Sequence, residues 1–105
     1  MGNEKDIFTI GDLKFNGYDY SVTIQNEKIH LGKNCFQILA ELASDPGKKF
    51  DREYLLENCW DDEEFVFNQL VDVHINRIRK KIKDQDLEIE SVIGGYKLAK
   101  IESEA

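Results

Sequence analysis

The segment of residues 68–83 constrains the fold of this chain more than any other. Its apolar residues recur at steps of four, three and four: Val71, Ile75, Ile78 and Ile82. This spacing is typical of the buried stripe of an amphipathic helix, so we expect a helix from about residue 68 to residue 83. A turn of about 100° per residue places another set of side chains on the side away from the stripe. That set is Gln69, Val73, Asn76, Arg77 and Lys80.

The residues before this segment predict strands and then two further helices. Four short runs between residues 7 and 31 are rich in β-branched and aromatic residues and are separated by turn residues such as Asn16-Gly17, which predicts an antiparallel meander. Apolar residues at helical spacing from Phe36 predict a first helix. Asp51 is expected to cap a second helix, which ends near Trp60.

The residues after the segment predict a hairpin. The runs 87–93 and 96–101 have the composition of strands and are joined at Gly94-Gly95, where glycine permits a tight turn. Strands, three helices and a hairpin are the plan of an α+β winged helix-turn-helix. We expect residues 7–100 to form this domain. Residues 1–6 are expected to be a disordered tail or residues added to an excised domain, and 101–105 a C-terminal tail.

The net charge of −7 argues at first against nucleic acid, because DNA-binding domains are usually basic. Its distribution changes the argument. Residues 1–67 carry fourteen acids and seven bases, whereas residues 68–105 carry seven of each. Five bases and no acid lie between residues 74 and 83: Arg77, Arg79, Lys80, Lys81 and Lys83. The only dense basic run therefore falls on the predicted third helix.

Catalytic, metal and membrane functions find little support in the sequence. Cys35 and Cys59 lie in helical patterns without zinc-ligand spacing, so we expect reduced packing residues. Neither His30 nor His74 has an evident nucleophile partner, and no glycine-rich phosphate loop is present, so we expect no enzyme activity, cofactor or metal. No apolar run approaches the roughly 20 residues that span a bilayer, and the start lacks the order of a secretion signal. A cytoplasmic protein is expected.

Several motifs together resemble one family, the effector domains of OmpR/PhoB-type response regulators. They are residues 31–36, Pro46-Gly47, residues 52–56, Trp60, residues 71–82 and residues 95–98. The resemblance implies an N-terminal four-stranded sheet, a three-helix bundle whose third helix enters the major groove, and a C-terminal wing. It also implies transcription control, phosphorylation of a receiver domain in the full-length protein, and dimers on tandem half-sites. The acidic residues 61–64 (Asp61, Asp62, Glu63 and Glu64) lie where relatives contact RNA polymerase, although a solvated loop is the alternative.

The predicted third helix supplies most of the expected DNA contacts. Arginine bonds guanine bidentately, so Arg77 is expected to read a base, and Val73 beside it to touch a thymine methyl. The residues that flank this line suit phosphates: His74, Asn76, Arg79, Lys80 and Lys81. Trp60 resembles the family position that reaches the DNA backbone, and Gln69 and Tyr96 complete the predicted set. A solvated basic face is the alternative, and Asp72, His74 and Trp60 have the alternative of packing inside the bundle.

The chain departs from its family at the wing and at the first helix. Ile93 stands where relatives carry an arginine that enters the minor groove, and one residue between the glycines is absent. Gln69 and Leu70 replace an arginine and a small hydroxyl residue, which predicts fewer phosphate contacts. Residues 32–35 replace a Thr-x-x-Glu capping box. The alternative function is therefore a winged-helix protein-interaction module in which DNA binding is reduced or lost.

Overall fold

An antiparallel four-stranded sheet opens the computed structural model, which describes residues 6–60 and 67–100. Its strands are β1 (Ile7–Ile10), β2 (Leu13–Asn16), β3 (Ser21–Ile24) and β4 (Glu27–His30), in the order β1-β2-β3-β4. The predicted meander is confirmed. Phe15 and Val22 lie opposite each other on β2 and β3 and are fully buried. Phe36 packs edge-on against Phe15 with ring centroids 5.5 Å apart, so this sheet closes one side of the core.

Three helices follow, as predicted: α1 (Lys33–Ser44), α2 (Arg52–Cys59) and α3 (Asn68–Lys81). The helix α1 begins after Gly32 without a side-chain cap, as the missing capping box predicts. Asp51 occupies the N-cap position of α2, as predicted, but its side chain makes no capping hydrogen bond. Its carboxylate lies 3.4 Å from Lys49 Nζ instead, in an exposed ion pair. Cys35 and Cys59 are free and buried, in agreement with the prediction.

A second sheet contains the hairpin and one strand that the sequence pattern missed. Its order is β5 (Phe50–Asp51), β7 (Gly95–Lys100) and β6 (Leu87–Val92). The predicted turn at Gly94-Gly95 is wrong by one residue, because Val92 pairs with Gly95 and the turn is Ile93-Gly94. Gly94 supplies the left-handed backbone, at φ 83°. Gly95 is required for a different reason, since a Cβ there would lie 2.1 Å from the carbonyl oxygen of Phe50.

Other expectations lie at or beyond the edges of the described chain. The helix α3 ends at Lys81 rather than at residue 83, and Ile82 closes its last turn by donating its N–H to the Ile78 carbonyl at 3.0 Å. The predicted polymerase-contact loop, residues 61–64, and the predicted C-terminal tail lie outside the described residues. Within the described residues, no helix has the length and apolar character needed to cross a bilayer.

Candidate nucleic-acid interface

The helix α3 separates an apolar face from a cationic one. Val71, Ile75 and Ile78 are fully buried, in contact with α1 and α2, so the predicted stripe is confirmed. The side chains predicted to lie on the other face are all exposed: Gln69, Val73, Asn76, Arg77 and Lys80. The bundle therefore fixes α3 through one side and presents the other to solvent.

Two cations of this face have no partner within residues 6–60 and 67–100. Neither Arg77 nor Lys80 makes a hydrogen bond or an ion pair there. The guanidinium and ammonium donors are therefore available to an external acceptor. Val73, on the same face, is 43% exposed although it is apolar. Lys81, also exposed, donates from Nζ to the His30 carbonyl at 2.9 Å, which ties the end of α3 to β4 while leaving donors free.

Arg79 differs from its basic neighbours, since its guanidinium faces the hairpin. Nε and Nη2 both donate to the Ile89 carbonyl, at 3.1 and 2.8 Å, and Nη2 also donates to Ser91 Oγ at 3.0 Å. Nη1 donates to Asn76 Oδ1 at 3.3 Å, and the group lies 5.6 Å from the Tyr96 ring centroid. The phosphate contact of Arg79 stays a prediction. The partners observed for its guanidinium all belong to the same chain.

A polar network anchors α3 to the start of α2 and to the wing, which is the β6–β7 hairpin. Arg52 holds the Asp72 carboxylate through Nε and Nη2, and the Tyr96 hydroxyl donates to the same carboxylate. The Arg52 hydrogen bond holds the pKa of Asp72 below its ordinary value, against a smaller opposing effect of burial. Burial, followed by the Asp72 hydrogen bond, raises the pKa of Tyr96. The sequence left Asp72 without assigned partners, because residues 20 and 24 positions away are brought to it only by the tertiary fold.

Trp60 and His74 also have partners inside the bundle. The Trp60 ring is 9% exposed and meets the His74 ring edge-on, with centroids 5.1 Å apart. Nδ1 of His74 donates to the Leu70 carbonyl at 2.9 Å, which is the preceding turn of α3. Tyr96 is equally buried at 9%. This geometry favours the packing alternative for Trp60 and His74. DNA contacts by Trp60, His74 and Tyr96 stay predictions.

The tip of the wing is anchored and apolar. Gly94 accepts a hydrogen bond through its carbonyl from the Arg52 N–H at 3.1 Å, so the turn is tied to the first residue of α2. Ile93 is 92% exposed, and its side chain offers no donor to a nucleic acid. The wing therefore lies beside the cationic face of α3 without adding charge to it at the tip.

A buried-stripe helix, its exposed cationic face and a hairpin fixed beside it define a winged helix-turn-helix domain. The comparisons agree with this class. The chain belongs to the family described as "Transcriptional regulatory protein, C terminal", whose model matches residues 26–98. The resemblance to OmpR/PhoB-type effector domains is thereby confirmed. Family and fold are those of transcription-regulator domains and not of enzymes.

Individual relatives support the same placement. The heme response regulator HssR of Staphylococcus aureus (strain Newman) is 35% identical over an alignment of 99 residues, which covers 91% of this chain and 44% of HssR. The response regulator DrrB, a Thermotoga maritima OmpR/PhoB homolog, has a TM-score of 0.70 and 37% identity over 89% of this chain and 44% of DrrB. The chain thus spans less than half the length of these relatives.

A third relative was crystallised with a nucleic acid. The RstA DNA-binding domain of Klebsiella pneumoniae, in complex with the RstA box, has a TM-score of 0.65 and 30% identity, covering 90% of this chain and 97% of that chain. Its fold and size therefore match those of the domain described above.

Proposed function

We propose that this chain is the sequence-specific DNA-binding effector domain of a two-component response regulator and that α3 enters the major groove. The observation that carries the proposal is the exposed face of α3, on which Arg77 and Lys80 are free of partners among the described residues. The opposite face is fully buried, so the helix is held rigidly while its cations remain available. The major groove admits a helix of this shape.

Within this proposal, the exposed residues of α3 divide into base contacts and phosphate contacts. We assign Arg77 to a guanine and Val73, which is exposed, to a thymine methyl. Phosphates are contacted by Lys80, Lys81 and Asn76, which fix the register of the helix on the duplex. Gln69, exposed at the start of α3, offers a neutral amide to the backbone.

The proposal extends to the partners that the family implies. The full-length protein carries a receiver domain whose phosphorylation controls DNA occupancy, and two effector domains bind tandem half-sites as a dimer. Residues 61–64 contact RNA polymerase. Membership of the family and the greater length of HssR and DrrB support the receiver domain. The dimer and the polymerase contact rest on the resemblance to the family alone.

One observation favours a second function, that of a protein-interaction module. Ile93 exposes 92% of its apolar surface at the wing tip, where a cation would serve DNA better. Salt separates the two functions, because each phosphate neutralised contributes about 0.9 to the slope of log affinity against log salt, whereas an apolar protein contact has little such dependence.

The test is selection of duplexes from a randomised library with the purified chain, followed by titration of the best duplex at several salt concentrations. We expect affinity to fall steeply with salt. Lys80→Ala should flatten the slope by about one unit. Lys14→Ala, which removes another exposed lysine, from β2, is the matched control and should leave the slope unchanged. Failure to enrich any duplex, or a flat salt dependence, would favour the protein-interaction module.

A further inference from the structure

Arg79 has almost no hydrogen-bonding capacity left for DNA. A guanidinium has five N–H donors. Four are used: Nε–H and one Nη2–H on the Ile89 carbonyl, the other Nη2–H on Ser91 Oγ, and one Nη1–H on Asn76 Oδ1. A phosphate could receive at most the one remaining Nη1–H. A bidentate contact, which is the usual reason for arginine at a phosphate or a base, would require the present bonds to break.

The position of the Ile89 carbonyl explains why Arg79 is held there. Among the described residues, β6 is an edge strand, since it pairs with β7 alone. Ile89 lies opposite Leu98, and its carbonyl accepts from Arg79 and thus points away from β7. Edge strands present such unpaired groups to solvent or to other chains. Arg79 satisfies this carbonyl and covers the edge at the same time.

The same guanidinium also joins the two parts of the candidate interface. Asn76 lies on the exposed face of α3, and Ser91 lies on the wing two residues before the exposed Ile93. Both accept from Arg79. The Tyr96 ring lies beside the guanidinium, and Tyr96 in turn bonds Asp72. Arg79 therefore links the exposed face of α3 directly to β6, in addition to the Tyr96–Asp72 hydrogen bond that links α3 to β7.

We propose that Arg79 is a positioning residue, which fixes the β6–β7 hairpin against α3 and orients Asn76, and that it is not a phosphate ligand. The proposal rests on the proposed function, because its consequence for recognition is measured on DNA. Substitution can distinguish the effect of the charge of Arg79 from that of its hydrogen-bond geometry, because lysine keeps the charge but cannot reproduce the planar fork of donors.

The test compares Arg79→Lys and Arg79→Gln on the duplex selected by the wild-type chain. A positioning role predicts that both variants weaken binding by a similar factor, roughly three- to tenfold, the range that loss of one or two net hydrogen bonds spans. Both should keep the wild-type salt slope. A phosphate ligand predicts a different pattern, in which Arg79→Lys binds nearly as wild type and Arg79→Gln has a slope flatter by about 0.9. Lys80→Gln is the matched control and should show the flatter salt slope expected when a phosphate ligand loses its charge.

Hydrogen exchange provides a readout without DNA. Arg79→Gln and Arg79→Lys should speed amide exchange in β6, and Ser91→Ala, which removes one acceptor from the surface of the strand, should do so more weakly. Lys80→Gln should leave β6 unchanged. If the wild-type chain selects no duplex, the proposed function fails, and the exchange rates still test the positioning role. Unchanged β6 exchange in both Arg79 variants, or the ligand pattern on DNA, would overturn the proposal.

Discussion

Replacing Gly95 by alanine tests how the wing is attached to the rest of the domain. Gly95 pairs with Asp51 of β5 as well as with Val92 of β6. An added Cβ would lie 2.1 Å from the Phe50 carbonyl oxygen and 2.9 Å from its carbon. Both are backbone atoms, so rotation of a side chain cannot relieve the contact. Because a Cβ essentially never comes within 3.0 Å of a non-bonded atom, relief requires the two strands to separate by about 1 Å, which breaks β5–β7 pairing.

The expected cost follows from these contacts. Overpacking of this kind costs about 1 to 3 kcal/mol, and loss of backbone pairing adds about 1 kcal/mol, so Gly95→Ala should lower the free energy of unfolding by about 2 to 4 kcal/mol. Gly94→Ala is the matched control. Its added Cβ meets only the flexible end of Lys49, at 3.4 Å, but its φ of 83° is unfavourable for alanine. That penalty is about 1 to 2 kcal/mol.

Urea unfolding followed by circular dichroism measures both variants under the same conditions. The structure predicts that Gly95→Ala is the more destabilised of the two, although only Gly94 has a left-handed backbone. Equal stabilities, or a less stable Gly94→Ala, would contradict the close approach of β5 to β7. In that case the short strand β5 would not hold the wing.

Three further predictions concern the polar network and the interface. The Arg52 hydrogen bond lowers the pKa of Asp72 from 3.8, so the pair stabilises the fold fully above that pH and progressively less as pH falls below it. Asp72→Asn should therefore weaken the acid dependence of unfolding in a pH series of urea titrations. An unaltered dependence would mean that Asp72 is not its source. Arg77→Ala should lower affinity by about 1 to 3 kcal/mol and relax preference at one base pair; competition against all single-base variants measures this, and uniform weakening would identify a phosphate ligand instead. Ile93→Arg should tighten binding, most at sites with an adjacent A-tract, and steepen the salt slope by about one unit; unchanged affinity and slope would mean that the wing tip does not reach DNA.

The parts of the fold that the sequence predicts are those fixed by local patterns. Periodicity assigns Val71, Ile75 and Ile78 to the buried face and Arg77 and Lys80 to the exposed face, because a helix fixes the angle between successive side chains. Composition predicts the meander, since runs rich in β-branched and aromatic residues between turn residues favour strands.

The remaining features depend on contacts between distant segments. The strand β5 has two residues, too few to form a pattern, and it exists because β7 lies beside it. The sequence predicts the turn one residue late because either glycine permits a turn, and only the approach of Phe50 to Gly95 decides between them. The basic run predicts a phosphate contact for Arg79, but a run of charges cannot show which side chain donates to the Ile89 carbonyl of the same chain.

Mapping of a bound duplex by NMR tests the central claim, that the exposed face of α3 is the DNA-binding surface. Backbone amide shifts of the isotope-labelled chain would be recorded while the selected duplex is added. We expect the largest changes between residues 69 and 81, with smaller changes around Ile93 and little change in β1 to β3. Changes concentrated on the four-stranded sheet, with α3 unaffected, would contradict the claim.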